Sequence, residues 1–207
     1  MFSPGEAFFE DVGPKVHADF EPLIAEAGIE VAVAQTLERI EDDAVVFADD
    51  ERWDSALTIV IPPYRGHPAV VASEGLGDEQ GFVPTDTTMR HLDFPEVFAA
   101  GDGSAWAKPK LGRLAVHQAE IAAAIRREVT GTGEVPAWQP GVFCIMNRGG
   151  GRATLILSDW LWGGERDLTF SSPLARLMEW GFDEYSFHTR GHLPPEAAQE
   201  ALKKLFA

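Results

Sequence analysis

Four residue types stand at spacings that could do chemistry in this chain: Asp102 directly after Gly101, Lys110 eight residues on, Gln118 eight residues after that, and the single cysteine, Cys144. The run Val97-Phe98-Ala99-Ala100-Gly101-Asp102 reads as a buried strand that stops on a glycine and places a carboxylate at its carboxyl end. Lys110, Leu111 and Gly112 follow, and then a long helical pattern over about 111–129 that ends before Gly131. In an open α/β sheet, ligands bind at the carboxyl ends of the strands, where a strand turns into a helix. Gly101 would let the backbone approach a ligand closely. The helix start would add exposed N–H groups and a positive dipole end, which favour negative charge. The plainer reading of Gly101-Asp102 is a turn whose aspartate caps the helix.

The elements that must position these residues can be read in outline. Residues 14–27 carry Val16, Phe20, Leu23, Ile24 and Ala27 at helical spacing, and Gly28 stops them. Ile29–Ala34, Thr36–Ile40 and Ala44–Ala48 read as short strands separated by acidic turns, with Glu41-Asp42-Asp43 and Asp49-Asp50-Glu51 as solvated hairpin ends. Ala56–Ile61 is a continuous apolar run stopped by Pro62-Pro63, which predicts a parallel strand buried on both faces. Residues 62–94 are loop-rich, and 131–140 are Gly- and Pro-rich and read as a linker. Gly141–Asn147 and Arg152–Leu157 then form a strand pair around Gly149-Gly150-Gly151, and helices are expected over about 172–189 and 194–206.

The whole context resembles the second flavin-binding segment of the FAD-dependent pyridine nucleotide–disulfide oxidoreductase superfamily, in its sulfide:quinone oxidoreductase-like branch. Phe82-Val83-Pro84-Thr85-Asp86, Met89-Arg90-His91, Phe94-Pro95-Glu96 and Val97 to Gln118 carry the resemblance, together with Pro62-Pro63-Tyr64-Arg65-Gly66 and Gly75 to Gly81. The implied fold is α/β, the C-terminal half of a flavoprotein with two dinucleotide-binding domains. Residues 1–66 would be a partial nicotinamide-type domain, 67–131 the second FAD-binding segment, and 141–207 a C-terminal strand pair and helices.

The resemblance implies FAD as cofactor, with Gly101, Asp102, Lys110, Leu111 and Gly112 against it and Asp102 accepting from a ribityl hydroxyl. It also implies Lys110 and Cys144 as catalytic residues, the lysine stabilising charge on the ring or a quinone and the cysteine passing electrons as a thiolate. The plainer readings are a solvated lysine at a helix start and a small buried apolar cysteine. Lys108 stands close enough to be mistaken for Lys110, and His117, on the same helix, reads better as a packed or surface histidine.

The strand–G-x-G-x-x-G–helix fingerprint that grips the FAD pyrophosphate is absent from these 207 residues. The chain is therefore expected to be truncated relative to the family and inactive alone. Sulfide, a thiol or NAD(P)H would be the donor, and quinone the acceptor. The alternatives are a non-catalytic module that dimerises or complements a separate FAD-binding chain, and a type II NADH:quinone oxidoreductase-like protein that needs no cysteine.

Composition narrows the partners further. Apolar residues make up 45% and charged residues 24%, as in globular chains, and the formal net charge of −16, spread along the chain, disfavours nucleic acid and anionic membranes. One cysteine excludes an internal disulfide, and no run approaches the roughly 20 apolar residues of a membrane span. The N-terminus has no signal-peptide pattern, so the expected location is cytoplasmic, at most peripheral on the inner face of the membrane. The aromatic stretch Trp160, Trp162, Phe170, Leu174, Leu177, Met178, Trp180, Phe182 and Tyr185 reads as a packing or dimer surface rather than a bilayer-facing one. No metal site is expected.

Overall fold

The computed structural model describes residues 1–9, 12–106 and 109–190. The helix expected over 194–206, and Lys108, lie outside the described residues. The described residues divide into two compact units, one within 1–64 and 156–169 and the other within 65–155 and 170–190.

The first unit opens with helix α1, Pro14–Glu26, which buries Val16 and Phe20. Its start carries no side-chain cap of its own. The carboxylate of Asp167 takes that role from far along the chain, accepting from the amides of Gly13 (3.1 Å), Lys15 (2.7 Å) and Val16 (3.3 Å). Orphan amides at a helix start need such an acceptor, and negative charge is favoured there. Strands β1 (Leu37–Ile40), β2 (Ala44–Phe47) and β3 (Arg52–Asp54) follow as an antiparallel sheet in that order. All four residues of β2 are buried, and Phe47 meets Phe2 and Trp53 edge-on at 5.1 and 5.0 Å. The acidic triplet Glu41-Asp42-Asp43 is the β1–β2 turn, as expected, and Arg52 on β3 pairs with both Glu41 and Asp43.

Two expected strands of this unit do not form. Residues 29–34 make one isolated parallel bridge, Ala32 to Phe2. The apolar run Ala56–Ile61 belongs to no sheet, and Leu57, Ile59 and Ile61 are 79%, 80% and 81% exposed. The run has the composition of a central parallel strand, but among the described residues no neighbouring strand lies beside it to accept its backbone groups.

The second unit begins with a one-turn helix, α2 (Pro68–Val71), inside the loop-rich stretch. Helix α3 (Gly112–Ala123) and the short α4 (Ile125–Val129) replace the single helix expected over 111–129, with Ala124 as the joint. Strands β4 (Val142–Asn147), β5 (Ala153–Ser158) and β6 (Asp167–Ser171), of which residues 156–158 and 167–169 count with the first unit, make a second sheet in the order β4-β5-β6. The strand pair was expected; β6 was not. Helix α5 (Pro173–Thr189) starts on Ser172, whose hydroxyl accepts from Leu174 and Ala175, with Pro173 at the first position. Leu174, Leu177 and Trp180 on α5 are exposed. Among the described residues no helix is long and apolar enough to cross a membrane.

Candidate functional site

The site is built on the stretch 82–106. Val97–Ala100 is not the buried strand expected from its composition. The four residues are half-buried and pair only locally, through a bridge from Phe98 to Arg90. The His91 amide donates to the Val97 carbonyl (2.8 Å), and the Ala99 amide donates to the Met89 carbonyl (3.1 Å). Next to this, Val83 bridges Ser104 in parallel. Central strands of a parallel sheet need partners on both edges, and here the run finds only short hairpin partners.

Side chains lock this irregular backbone. The buried His91 ring accepts at Nδ1 from the amides of Asp93 (2.9 Å) and Phe94 (3.1 Å), and its Nε2 lies 3.1 Å from the Leu76 carbonyl. Two donors at Nδ1 and an acceptor at Nε2 select the neutral ring with its proton on Nε2. Asp86 Oδ1 accepts from the Thr88 amide and hydroxyl, both at 2.7 Å, and from the Arg90 amide at 3.2 Å. Arg90 lies 4.9 Å from the Phe98 ring centroid and donates to the Pro95 carbonyl and the Glu128 carboxylate of α4.

Burial alone would raise the Asp86 carboxyl, but hydrogen bonds from the Thr88 side chain and the Thr88 and Arg90 amides, with the Arg90 charge, bring it below its ordinary value. A carboxyl lowered on folding stabilises the fold above the unfolded-state value, and that contribution is lost as pH falls through the folded one. Asp86→Asn is therefore expected to flatten the acid side of the stability profile below about pH 4 relative to the parent. Urea melts at several pH values check this; parallel profiles for the two proteins would exclude it.

Gly101 begins a three-residue 3-10 turn, Gly101–Gly103, with φ at +72°. That region costs a residue with a Cβ, and a Cβ here would also stand 3.1 Å from the Ala115 side chain. The Gly101 N–H donates to Oε1 of Gln118 at 2.7 Å, and Gln118 on α3 is 4% exposed. Ser104 closes the turn from the other side, its hydroxyl donating to the Gly101 carbonyl at 3.0 Å. Asp102 is left exposed at the tip.

Lys110 Nζ donates to the carbonyls of Ser104 (2.7 Å) and Trp106 (3.0 Å) and lies 4.7 Å from the Phe82 ring centroid. Burial draws its ammonium below the usual lysine value, against the opposing pull of Asp102 and Asp78. It clamps the segment after Asp102 and is neither a solvated lysine nor a cation with its donors free. Helix α3 begins beside it with Leu111 as a cap that offers no side-chain acceptor and with no acidic residue in the first turn. The orphan amides and the positive dipole end therefore stay available to an acceptor.

Gly101, Asp102, Lys110 and Leu111 thus line one concave pocket, and Trp106 and Trp138 form its aromatic wall, ring to ring at 4.8 Å. Trp138 comes from the stretch expected to be a linker. It is buried and its amide donates to the Thr87 carbonyl at 2.6 Å, so Trp138 docks on the site while most of 131–140 around it is exposed. A lone Trp among Gly and Pro was the signal for it. The enclosed volume is only ≈ 10 Å³, room for about one water. Gly112 opens α3 next to the pocket without lining it. Cys144 sits half-buried on β4 and does not line the pocket, and burial pushes its thiol up. The neighbouring Phe143 ring is covered by the Arg113 guanidinium at 4.7 Å.

No family model matches the chain. Among solved structures it is similar to the sulfide:quinone oxidoreductase from the hyperthermophilic bacterium Aquifex aeolicus, at 18% identity and a TM-score of 0.78, over 90% of this chain and 48% of that one. It is also similar to a ferredoxin reductase from Rhodopseudomonas palustris, at 18% identity and 0.55, over 75% of this chain and 40% of that one. A NAD-dependent persulfide reductase from A. fulgidus matches at 17% and 0.54, over 75% of this chain and 30% of that one. The α/β fold and the resemblance read from the residues are met by these matches. The chain shares the fold of part of these structures, and it spans about half the length of the Aquifex chain.

Proposed function

We propose that this chain is the ribityl- and ring-side half of a flavin-dependent oxidoreductase of the sulfide:quinone oxidoreductase kind, working only when the pyrophosphate-binding half is supplied. The observation that carries it is the Gly101–Asp102 turn, locked by Gln118 and set beside an uncapped helix start. An exposed carboxylate suits a polyol hydroxyl, and free amides at a helix start suit electron-rich ring atoms. These residues fit one side of FAD. Ligand sites enclose roughly 300–1,000 Å³, far more than the ≈ 10 Å³ here, so the remaining walls must come from elsewhere.

Bound FAD would supply a two-electron carrier between a donor such as sulfide, a thiol or NAD(P)H and an acceptor such as quinone. Asp102 would hold the polyol, Trp106 and Trp138 would exclude water, and Lys110 would keep the segment after Asp102 in place. Lys110 is then a positioning residue, since two of its three N–H donors already serve backbone carbonyls. Cys144 lies off the pocket, and burial pushes its thiol up.

Asp102 is exposed and makes no buried contact, so Asp102→Ala is expected to leave stability within about 0.5 kcal/mol of the parent. It should weaken flavin retention about tenfold once the pyrophosphate-binding half is present, the scale of one lost hydrogen bond. Flavin absorbance of the assembled protein, followed by release on denaturation, checks both. An assembly that takes up no FAD on reconstitution would sink the proposal.

A further inference from the structure

The His91 ring is buried to 2% exposure, and among the described residues it is hydrogen-bonded to main-chain atoms alone. Nδ1 accepts from the amides of Asp93 (2.9 Å) and Phe94 (3.1 Å), and Nε2 faces the Leu76 carbonyl at 3.1 Å. The Phe94 ring lies tilted against it, with centroids 4.9 Å apart. The imidazole thus closes the turn 91–94 from inside and ties it to the segment around Leu76. A neutral imidazole has one donor and one acceptor, and this setting uses both. Imidazolium has two donors and no acceptor. A proton on Nδ1 would face two N–H groups and forfeit both bonds in a place that water barely reaches.

None of those bonds is to a carboxylate, the group that steadies a charged histidine. On the ring's own turn, Asp93 and Glu96 are exposed, and Asp93 meets the ring through its amide. On the segment around Leu76, Glu74 is exposed, and the Asp78 carboxylate accepts from the amides of Gln80 and Phe82. Arg90 turns its guanidinium to the Pro95 carbonyl, the Glu128 carboxylate and the Phe98 ring. The same turn carries the run into the site. Val97–Ala100 belongs to neither sheet and leads directly into Gly101–Asp102. The Val97 amide donates to the Phe94 carbonyl (2.9 Å), the Val97 carbonyl accepts from the His91 amide, and the Ala99 amide donates to Met89. The footing of that run is therefore the turn that the His91 ring closes.

We propose that His91 is a proton-operated latch: the neutral ring holds the turn 91–94 shut, and uptake of one proton from solvent at Nδ1 opens it and loosens the run into Gly101–Asp102. Only hydrogen bonds break in this step. The open turn holds one proton more than the closed one, so closure gains as pH rises and is lost as pH falls. A solvated imidazole takes up its proton near about pH 6.5, so the latch loosens from there downward. The latch deepens the reading above, since it gives that site an acid-sensitive hold, but it stands on the turn itself.

The test follows amide exchange and the His91 ring nitrogens by NMR in this chain alone, from about pH 7.5 to about pH 5.5. After correction for the intrinsic pH dependence of exchange, protection of the Phe94 amide should fall about tenfold per pH unit below about pH 6.5. The Ala99 amide should follow, while the Phe47 amide, bonded to Glu51 in the first unit, should not. His91→Asn puts a non-titrating acceptor near the place of Nδ1, as Asp86 does for the amides of Thr88 and Arg90, and should erase the slope. Three results overturn the proposal: constant protection in the parent, the parent's slope kept in His91→Asn, or a ring protonated on Nδ1 while the Asp93 and Phe94 amides stay protected. The last is read on the parent alone, so it decides even where the variant does not fold. Neither readout uses flavin. A working latch in a completed protein that takes up no FAD defeats the flavin reading alone, and a missing latch leaves that reading standing.

Discussion

Gly66→Ala is expected to cost about 3–5 kcal/mol and to lower the melting temperature by about 10 °C, enough to leave the unit from 65 onward poorly folded. A Cβ at this position would overlap the carbonyl, carbon and Cα of Gly81, which are backbone atoms and cannot rotate aside. The two segments are already bonded, the Gly66 amide donating to the Gln80 carbonyl at 2.8 Å. Overpacking against a side chain is relieved by a new rotamer, but overpacking against a main chain separates the segments and breaks that bond. Gly112→Ala is the matching control, because a Cβ there meets nothing within 4 Å and Gly112 opens helix α3. It should be neutral or stabilising by up to about 1 kcal/mol. Thermal melts followed by circular dichroism separate the two, and a Gly66→Ala protein that melts with the parent would refute the close packing. The glycine closing the Pro62-Pro63-Tyr64-Arg65-Gly66 turn thus has a steric reason, independent of any ligand.

How far such reasons can be read from the residues depends on their range. Helix α1, the acidic β1–β2 turn and the β4–β5 pair follow from local periodicity and turn chemistry, and they stand where the spacing put them. Val97–Ala100 and Ala56–Ile61 carry the composition of central strands and form none, because a parallel strand exists only through its neighbours. At the site, Gly101 and Asp102 stood out by type and spacing, Lys110 and Leu111 by the resemblance, and the four line one pocket. What Lys110 binds was not visible, since its acceptors are the carbonyls of Ser104 and Trp106, which any residue would offer. The roles of Trp138 and Asp167 were equally hidden, one reaching the site from a Gly/Pro stretch and the other capping a helix about 150 residues before it.

Gln118 shows the same long reach, and its replacement by leucine is expected to have the second-largest effect. The leucine fills nearly the same volume, so packing of α3 changes little. What goes is the acceptor for the Gly101 N–H, in a place where water does not reach Gln118. A donor left buried and unsatisfied costs about 1–3 kcal/mol, a melting shift of several degrees for a chain of this size. Part of that cost should be local. Exchange of the Gly101 amide, left without its acceptor, should quicken by about 30-fold, the equivalent of about 2 kcal/mol. Amide exchange resolved to this residue checks it, with the amide of Val83, bonded to Gly103 at 2.9 Å, as the neighbour that reports whether the turn has shifted as a whole. If the Gly101 amide exchanges as in the parent, Gln118 is only a space-filling residue, and the aim of Asp102 must be set by Ser104 and Lys110 alone.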